Sequence, residues 1–149
     1  MASLYHLFPA TIHPMVVHFT IAIIYLAFFA GLAAVIRKND AFFLKAFIIL
    51  LGLGIVATLA AGVAGVISES SVHLTPSTAA QLSVHKRDGE LTGVFIVIAF
   101  AFQWIGQLKK KVSYVALLFS LISTVLVSIT GHLGGTLVYL HGLGVHFNG

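Results

Sequence analysis

The chain has 149 residues, of which 59% are hydrophobic and only 8% are charged, and its mean hydropathy is +1.07. This composition excludes a water-soluble globular domain and indicates an integral membrane protein. Because the sequence contains no cysteine, it also excludes disulfides, iron–sulfur clusters and covalently attached c-type haem. The formal net charge of +4 does not indicate nucleic-acid binding, because the basic residues lie in short segments between apolar runs.

Four apolar runs are each long enough to cross a bilayer as a helix, for which about 20 residues suffice. They predict helices at about residues 14–36, 42–67, 85–108 and 112–141. The alternating pattern of barrel strands is absent, and only helices or closed barrels satisfy every backbone group in lipid. We therefore expect an all-α fold, with residues 1–149 forming a single up-down-up-down four-helix bundle in the membrane.

Charge is distributed unequally between the two ends of this bundle. Six of the eight basic residues lie in the 1–2 and 3–4 loops: Arg37, Lys38, Lys45, Lys109, Lys110 and Lys111. Three of the four acidic residues lie at the opposite end: Glu69, Asp88 and Glu90. The positive-inside rule then predicts that both basic loops face the cytoplasm, and that both termini and the 2–3 loop face outward.

All eight histidines belong to the outer half of the expected bundle or to the segments outside it. Counted from the inner helix ends at about 1.5 Å per residue, His18 lies about 27 Å up, His132 about 30 Å and His85 about 34 Å. The last value requires helix 3 to continue unbroken through Gly89. Three helices thus bring an imidazole to nearly one level, and ionisable residues inside a membrane are candidates for function by default.

Helices 1 and 3 are diagonal in such a bundle, so we expect His18 and His85 to face each other across the core as the main ligand pair. His132 and His141, on helix 4, form a second candidate pair. His13 precedes a proline that suits a helix start, so it is both a candidate ligand and a possible cap of helix 1. Three further histidines are expected to be solvated or marginal: His6, His73 and His146.

Small residues recur along helix 2, at Gly54, Thr58, Gly62 and Gly65. Residues spaced in this way let another helix backbone approach closely. They equally leave room for a flat macrocycle beside the helix. Both interpretations remain open from the sequence.

Three separated motifs resemble those of a family of small bacterial four-helix integral membrane proteins, grouped under the description of predicted membrane protein. They are the H-P-x-x-V-H-F opening at residues 13–19, the His85-x-x-x-Gly89-Glu90 segment, and the G-G-x-L-V-Y-x-x-G-x-G-V tail at residues 134–145. The resemblance covers nearly the whole chain, although Thr20 stands where a proline is usual. It implies a multi-pass protein of the bacterial inner membrane, similar in layout to b-type cytochromes, and a haem-binding role.

Haem suits these residues because non-covalent haem b needs one or two axial imidazoles and an apolar slot. We expect one or two haems, bound by the histidine pairs, with propionates paired to Lys86 and Arg87 at the membrane surface. A zinc or copper ion would use the same imidazoles.

The predicted function is that of a subunit carrying electrons at the outer side of the membrane, from quinol to an extracytoplasmic cytochrome. Such a protein is expected to work within a larger respiratory or photosynthetic complex rather than as a free-standing enzyme. Two alternatives remain open. One is a non-redox structural subunit of a membrane complex, and the other is a histidine-lined protein that binds or transports a metal ion.

The side assignment predicts a labelling pattern for single cysteines introduced into this cysteine-free chain. Cysteines at Ser113 and Asn39 are expected to be shielded from an impermeant maleimide in intact cells, because both positions face the cytoplasm. A cysteine at Ser71 is expected to react. The opposite pattern, read by gel shift of the labelled protein, would reverse the topology.

Overall fold

Four long helices make up the part of the chain that the structure describes: α1 (Ile12–Ile36), α2 (Ala41–Glu69), α3 (Pro76–Leu108) and α4 (Tyr114–Tyr139). The structure is a computed structural model and describes residues 12–70 and 72–143. Every one of these helices is long and apolar enough to cross a membrane, and the described residues contain no strand. The prediction of an all-α membrane bundle with four spans is therefore confirmed.

The helix boundaries follow from local capping. Asp40 accepts hydrogen bonds from the backbone N–H groups of the first turn of α2, and Ser113 caps α4 in the same way. At the start of α3, Thr75 and Thr78 form a capping box and Pro76 occupies the first turn. Consequently α3 begins well before the predicted residue 85, and it continues without a break through Gly89, as the level of His85 requires.

The helices pack in chain order, and α1 closes the ring against α4. The α1–α2 and α3–α4 pairs have the most extensive contacts, whereas α2 and α3 are packed more loosely against each other. The helices α1 and α3 are therefore diagonal, as expected. The bundle therefore consists of two tight pairs, α1–α2 and α3–α4, which meet less extensively along both the α2–α3 and the α1–α4 seams.

The two basic turns lie together at one end of the bundle, which we call the inner end. There the side-chain oxygen of Asn39 accepts a hydrogen bond of 2.9 Å from the backbone N–H of Val112, which joins the α1–α2 turn to the α3–α4 turn. Lys45 lies within α2 rather than in a loop. Ser71 lies outside the described residues.

The interior of the bundle is unusually rich in hydroxyl groups, and its exterior is apolar. Thr92, Ser120 and Ser123 are almost completely buried, while many large side chains such as Phe19 and Leu108 are exposed. The buried hydroxyls donate to backbone carbonyls of the preceding helical turn. Lipid replaces water around such a bundle, so small polar residues inside and large apolar residues outside are the expected distribution.

Gly106 allows the close approach of α3 to the inner α3–α4 turn, and Gly106→Ala is expected to destabilise the protein. A Cβ atom there would lie 2.7 Å from the carbonyl oxygen of Lys111 and 3.1 Å from the backbone nitrogen of Ser113. Because both neighbours are backbone atoms, we expect the free energy of unfolding in detergent to fall by about 1–3 kcal/mol.

The matched control is Gly135→Ala, because its new Cβ atom would meet only the Tyr139 ring at 4.0 Å. This variant is expected to be neutral or stabilised by up to about 1 kcal/mol, since alanine favours a helix more than glycine does. Equal denaturation curves for the two variants would contradict the close packing at the inner turn.

Candidate functional site

The outer half of the bundle contains a cavity of about 990 Å³ in the gap between α2 and α3, with walls from all four helices. Ligand pockets are usually about 300–1,000 Å³, so this cavity has the size of a cofactor site. Its lining is mainly apolar. The titratable side chains in its walls are His13, Glu69, His85, Lys86 and Glu90.

Two of these side chains, His13 on α1 and His85 on α3, approach each other across the cavity. Their ring centroids are 5.8 Å apart and their planes are nearly perpendicular, at 83°. The same number of residues separates His13 from Ile36 and His85 from Leu108, the inner ends of their helices. The diagonal helices therefore bring two imidazoles to one level, as expected, but the residue on α1 is His13.

Both rings are fixed by hydrogen bonds to backbone carbonyls of a neighbouring helix. The Nδ1 atom of His13 lies 2.9 Å from the carbonyl oxygen of Ala61, and that of His85 lies 3.0 Å from the carbonyl oxygen of Thr130. A carbonyl oxygen can only accept, so each Nδ1 carries the proton and donates it. In a neutral ring the Nε2 atom then keeps its lone pair, which is the tautomer of a metal-bound histidine with an oriented ring.

Glycines on the two remaining helices make room for these rings. A Cβ atom at Gly65 would lie 3.3 Å from Nδ1 of His13, and one at Gly134 would lie 3.1 Å from Cε1 of His85. Both distances are shorter than ordinary van der Waals contacts. A larger residue at either position would therefore displace an imidazole from its carbonyl partner.

The two interpretations of the small residues on α2 apply to different positions. A Cβ atom at Gly54 would contact Ile96 at 3.4 Å, so this glycine serves helix packing. A Cβ atom at Gly62 would have no neighbour within 4 Å, and Gly62 lines the cavity. The small residues therefore serve helix packing in the inner half of α2 and line the cavity in its outer half.

The expectation that His18 faces His85 across the core is wrong. The His18 side chain is exposed on the outer surface of α1, and its Nδ1 atom bonds the carbonyl oxygen of Pro14 in the same helix. Two side chains that are five residues apart on an α-helix point in directions that differ by about 140°. Since the His13 side chain points into the cavity, the His18 side chain points away from it.

The second predicted pair also lies outside the cavity. His132 is exposed on α4, and His141 is exposed in the turn that follows this helix. Of the remaining histidines, His73 is exposed in the segment between α2 and α3, while His6 and His146 lie outside the described residues. The four-residue spacing of Ser120, Thr124, Ser128 and His132 predicts that they share one face of α4. Ser120 and Thr124 are buried, whereas Ser128 and His132 are exposed.

Charged residues surround the outer mouth of the cavity. Lys86 lines the cavity and forms an ion pair of 2.8 Å with Glu69, which connects α3 to α2. Arg87 pairs with the mostly buried Asp88 at 2.8 Å and lines a smaller neighbouring cavity of about 340 Å³. Both cations predicted to bind an anionic ligand are therefore at the outer end, and each already has a carboxylate partner.

His13 is the residue whose role the sequence interpretation underestimated. Its proximity to Pro14 suggested a helix cap, whereas its distance from the inner end of α1 was the informative signal, because it equals that of His85 on α3. Among the described residues, no group of three or more His, Cys, Asp or Glu side chains is placed to hold a metal ion. The site is thus a pair of imidazoles, which is a set suited to the two axial positions of one metal.

A family model described as "Predicted membrane protein (DUF2231)" matches residues 9–146 of the chain. This match extends over α1 to α4 and includes both cavity histidines. No curated protein and no solved structure matches the chain.

The proximity of the two histidines predicts a specific cross-link. In the His13→Cys/His85→Cys variant, a short membrane-permeable bismaleimide is expected to bridge the two cysteines within one chain, because both side chains enter the same cavity. In the His18→Cys/His85→Cys control, residue 18 faces outward and no bridge is expected. The intact mass of the monomer measures bridging, and equal bridging of both variants would contradict the assigned pair.

Proposed function

We propose that this chain, which belongs to the DUF2231 family of predicted membrane proteins, is a membrane subunit that binds b-type haem through His13 and His85 and carries electrons. The observation that carries the proposal is the pair of oriented imidazoles inside a large apolar cavity. It replaces the pair that the sequence alone favoured. One pair of this kind occurs among the described histidines, so the proposal is for a single haem.

The separation of the two rings supports axial coordination. Two imidazoles on opposite sides of one metal ion have their ring centroids about 6 Å apart, because each metal–nitrogen bond is about 2 Å long. The observed separation is 5.8 Å. Since both Nδ1 atoms donate to carbonyls, the Nε2 atoms are the ones available to the metal.

The walls of the cavity suit a flat apolar macrocycle with acidic edges. Gly62 and Gly65 on α2 and Gly134 on α4 present no side chain toward the space around the rings. At the outer mouth, a propionate could accept a hydrogen bond from Lys86, and the partly exposed Glu69 would then exchange this partner for water.

A bis-imidazole haem supplies one-electron transfer without an open coordination position for substrate. The residues of this chain would hold it near the end of the bundle that carries the acidic residues. If the basic turns face the cytoplasm, as the positive-inside rule predicts, that end lies at the outer surface. This position supports a subunit that accepts electrons from quinol and passes them to an extracytoplasmic cytochrome within a larger complex.

The test is the visible spectrum of the purified protein and of single histidine variants. The wild type is expected to show a Soret band and, on reduction, the sharp α and β bands of six-coordinate low-spin haem. His13→Ala and His85→Ala are each expected to lose most of the haem or to become five-coordinate, because one axial imidazole is removed.

The matched controls are His18→Ala, which removes an exposed imidazole from α1, and His132→Ala, which removes one from α4. Both are expected to keep the wild-type spectrum and haem content. A wild-type protein with no Soret band, which also fails to take up added haemin, would contradict the proposal. In that case the two rings would make a direct edge-to-face contact, for which 5.8 Å is also a normal distance.

A further inference from the structure

The cavity extends far toward the inner end, beyond the level of the two histidines. Along α3 its wall continues from His85 to Val97 and Ile98, and along α2 it reaches Ile55. The distance from His85 to Val97 corresponds to about 18 Å of helical rise. The cavity is therefore longer than the histidine level requires. We call its innermost part the lower chamber; its lining includes Thr20, Ile55, Thr58, Leu59, Thr92, Gly93, Val94, Val97 and Ile98, with Glu90 at the height of Leu59.

Three threonines on three different helices line the lower chamber at one level. Counted from the inner ends of α1, α2 and α3, Thr20, Thr58 and Thr92 agree in height to within about 1.5 Å. By the same count they lie about 10 Å below the histidine pair. A ring of hydroxyl groups therefore lies next to the proposed redox site.

Each of these hydroxyl groups donates a hydrogen bond to a backbone carbonyl. Thr20 donates to Ala57 at 3.1 Å, and Thr58 and Thr92 donate to the preceding turn of their own helices at 2.9 and 2.8 Å. The oxygens keep lone pairs that can accept a hydrogen bond from a ligand hydroxyl. A hydroxyl can also rotate and donate to a ligand carbonyl, because its hydrogen is not fixed.

The lower chamber opens sideways between α2 and α3. Three apolar residues line the lower chamber and are also 49–67% exposed on the outer surface of the bundle: Leu59, Val94 and Val97. Val63 and Val66 continue this apolar edge outward to the histidine level. Gly93 widens this gap, since its nearest neighbour for a Cβ atom is the Thr58 hydroxyl at 3.7 Å. An opening with only apolar edges in the middle of a span leads to the acyl chains of the lipid, not to water.

We propose that the lower chamber binds the ring of a quinol or quinone, with its isoprenoid tail passing between α2 and α3 into the membrane. The threonine level offers hydrogen-bonding groups to the two oxygens of such a ring. Of the charged lining residues, Glu69 and Lys86 lie at the outer mouth, whereas Glu90 lies only about 3 Å of helical rise above Thr92. A role for this ligand as electron donor rests on the proposed haem function. The binding of the quinol or quinone in the chamber does not depend on that function.

The test uses tryptophan fluorescence in vesicles with decylubiquinone as the probe. In a Trp104→Phe background, Leu59→Trp places the only tryptophan in the wall of the chamber, and Leu53→Trp is the matched control on the lipid-facing side of α2. We expect saturable quenching at position 59 and only linear collisional quenching at position 53. Equal linear quenching at both positions would overturn the proposal.

Two variants in the Leu59→Trp protein identify the chamber as the binding site. Gly93→Leu fills it and is expected to abolish the saturable part of the quenching. If that variant fails to fold, Thr58→Val keeps the side-chain shape, and we expect it to raise the half-saturating concentration about three- to tenfold through loss of a hydrogen bond. Unchanged saturation in Thr58→Val and in any folded Gly93→Leu would overturn the assignment.

The same titration with His13→Ala added separates this proposal from the proposed function. If the wild-type protein binds no haem and the titrated variant keeps its saturable quenching, the quinone site is supported and the haem assignment is contradicted. If the wild-type protein binds haem and saturable quenching is absent, the haem assignment is supported and the quinone site is contradicted.

Discussion

The hydrogen bonds from His13 to the carbonyl of Ala61 and from His85 to the carbonyl of Thr130 are the interactions on which the site depends. Each bond joins the two helices of one tight pair, α1 to α2 and α3 to α4. Leaving an imidazole N–H without a hydrogen-bond partner in an apolar cavity would cost about 2–7 kcal/mol. Each ring is thus held against its own helix pair, and the gap between the pairs remains open as the cavity.

This arrangement organises the bundle in levels along its axis. The inner end is closed by two basic turns and the Asn39 bond, and the threonine level lies above them. The imidazole level follows, and the ion pair between Lys86 and Glu69 lies at the outer mouth. Polar side chains are therefore concentrated on the cavity side of the helices, and the outer surface is mainly apolar apart from the exposed His18, Ser128 and His132.

Much of this could be predicted from the sequence, and the errors have identifiable physical causes. Run lengths predict the four spans, and helical rise predicts that α1 and α3 bring histidines to one level. The sequence interpretation chose His18 although His13 matches His85 in distance from the inner end, and the rotation of about 140° between residues 13 and 18 turns His18 outward. Hydropathy also missed the start of α3, since the capping box of Thr75 and Thr78 and the helix-favouring Pro76 begin that helix well before its long apolar run.

The central claim is that His13 and His85 bind one haem iron with perpendicular ring planes, and electron paramagnetic resonance of the oxidised protein tests it most directly. Imidazole planes near 83° donate into different iron d orbitals and keep those orbitals close in energy. A strongly anisotropic low-spin signal is therefore predicted. A rhombic low-spin signal, which parallel planes produce, or a purely high-spin signal would contradict the account.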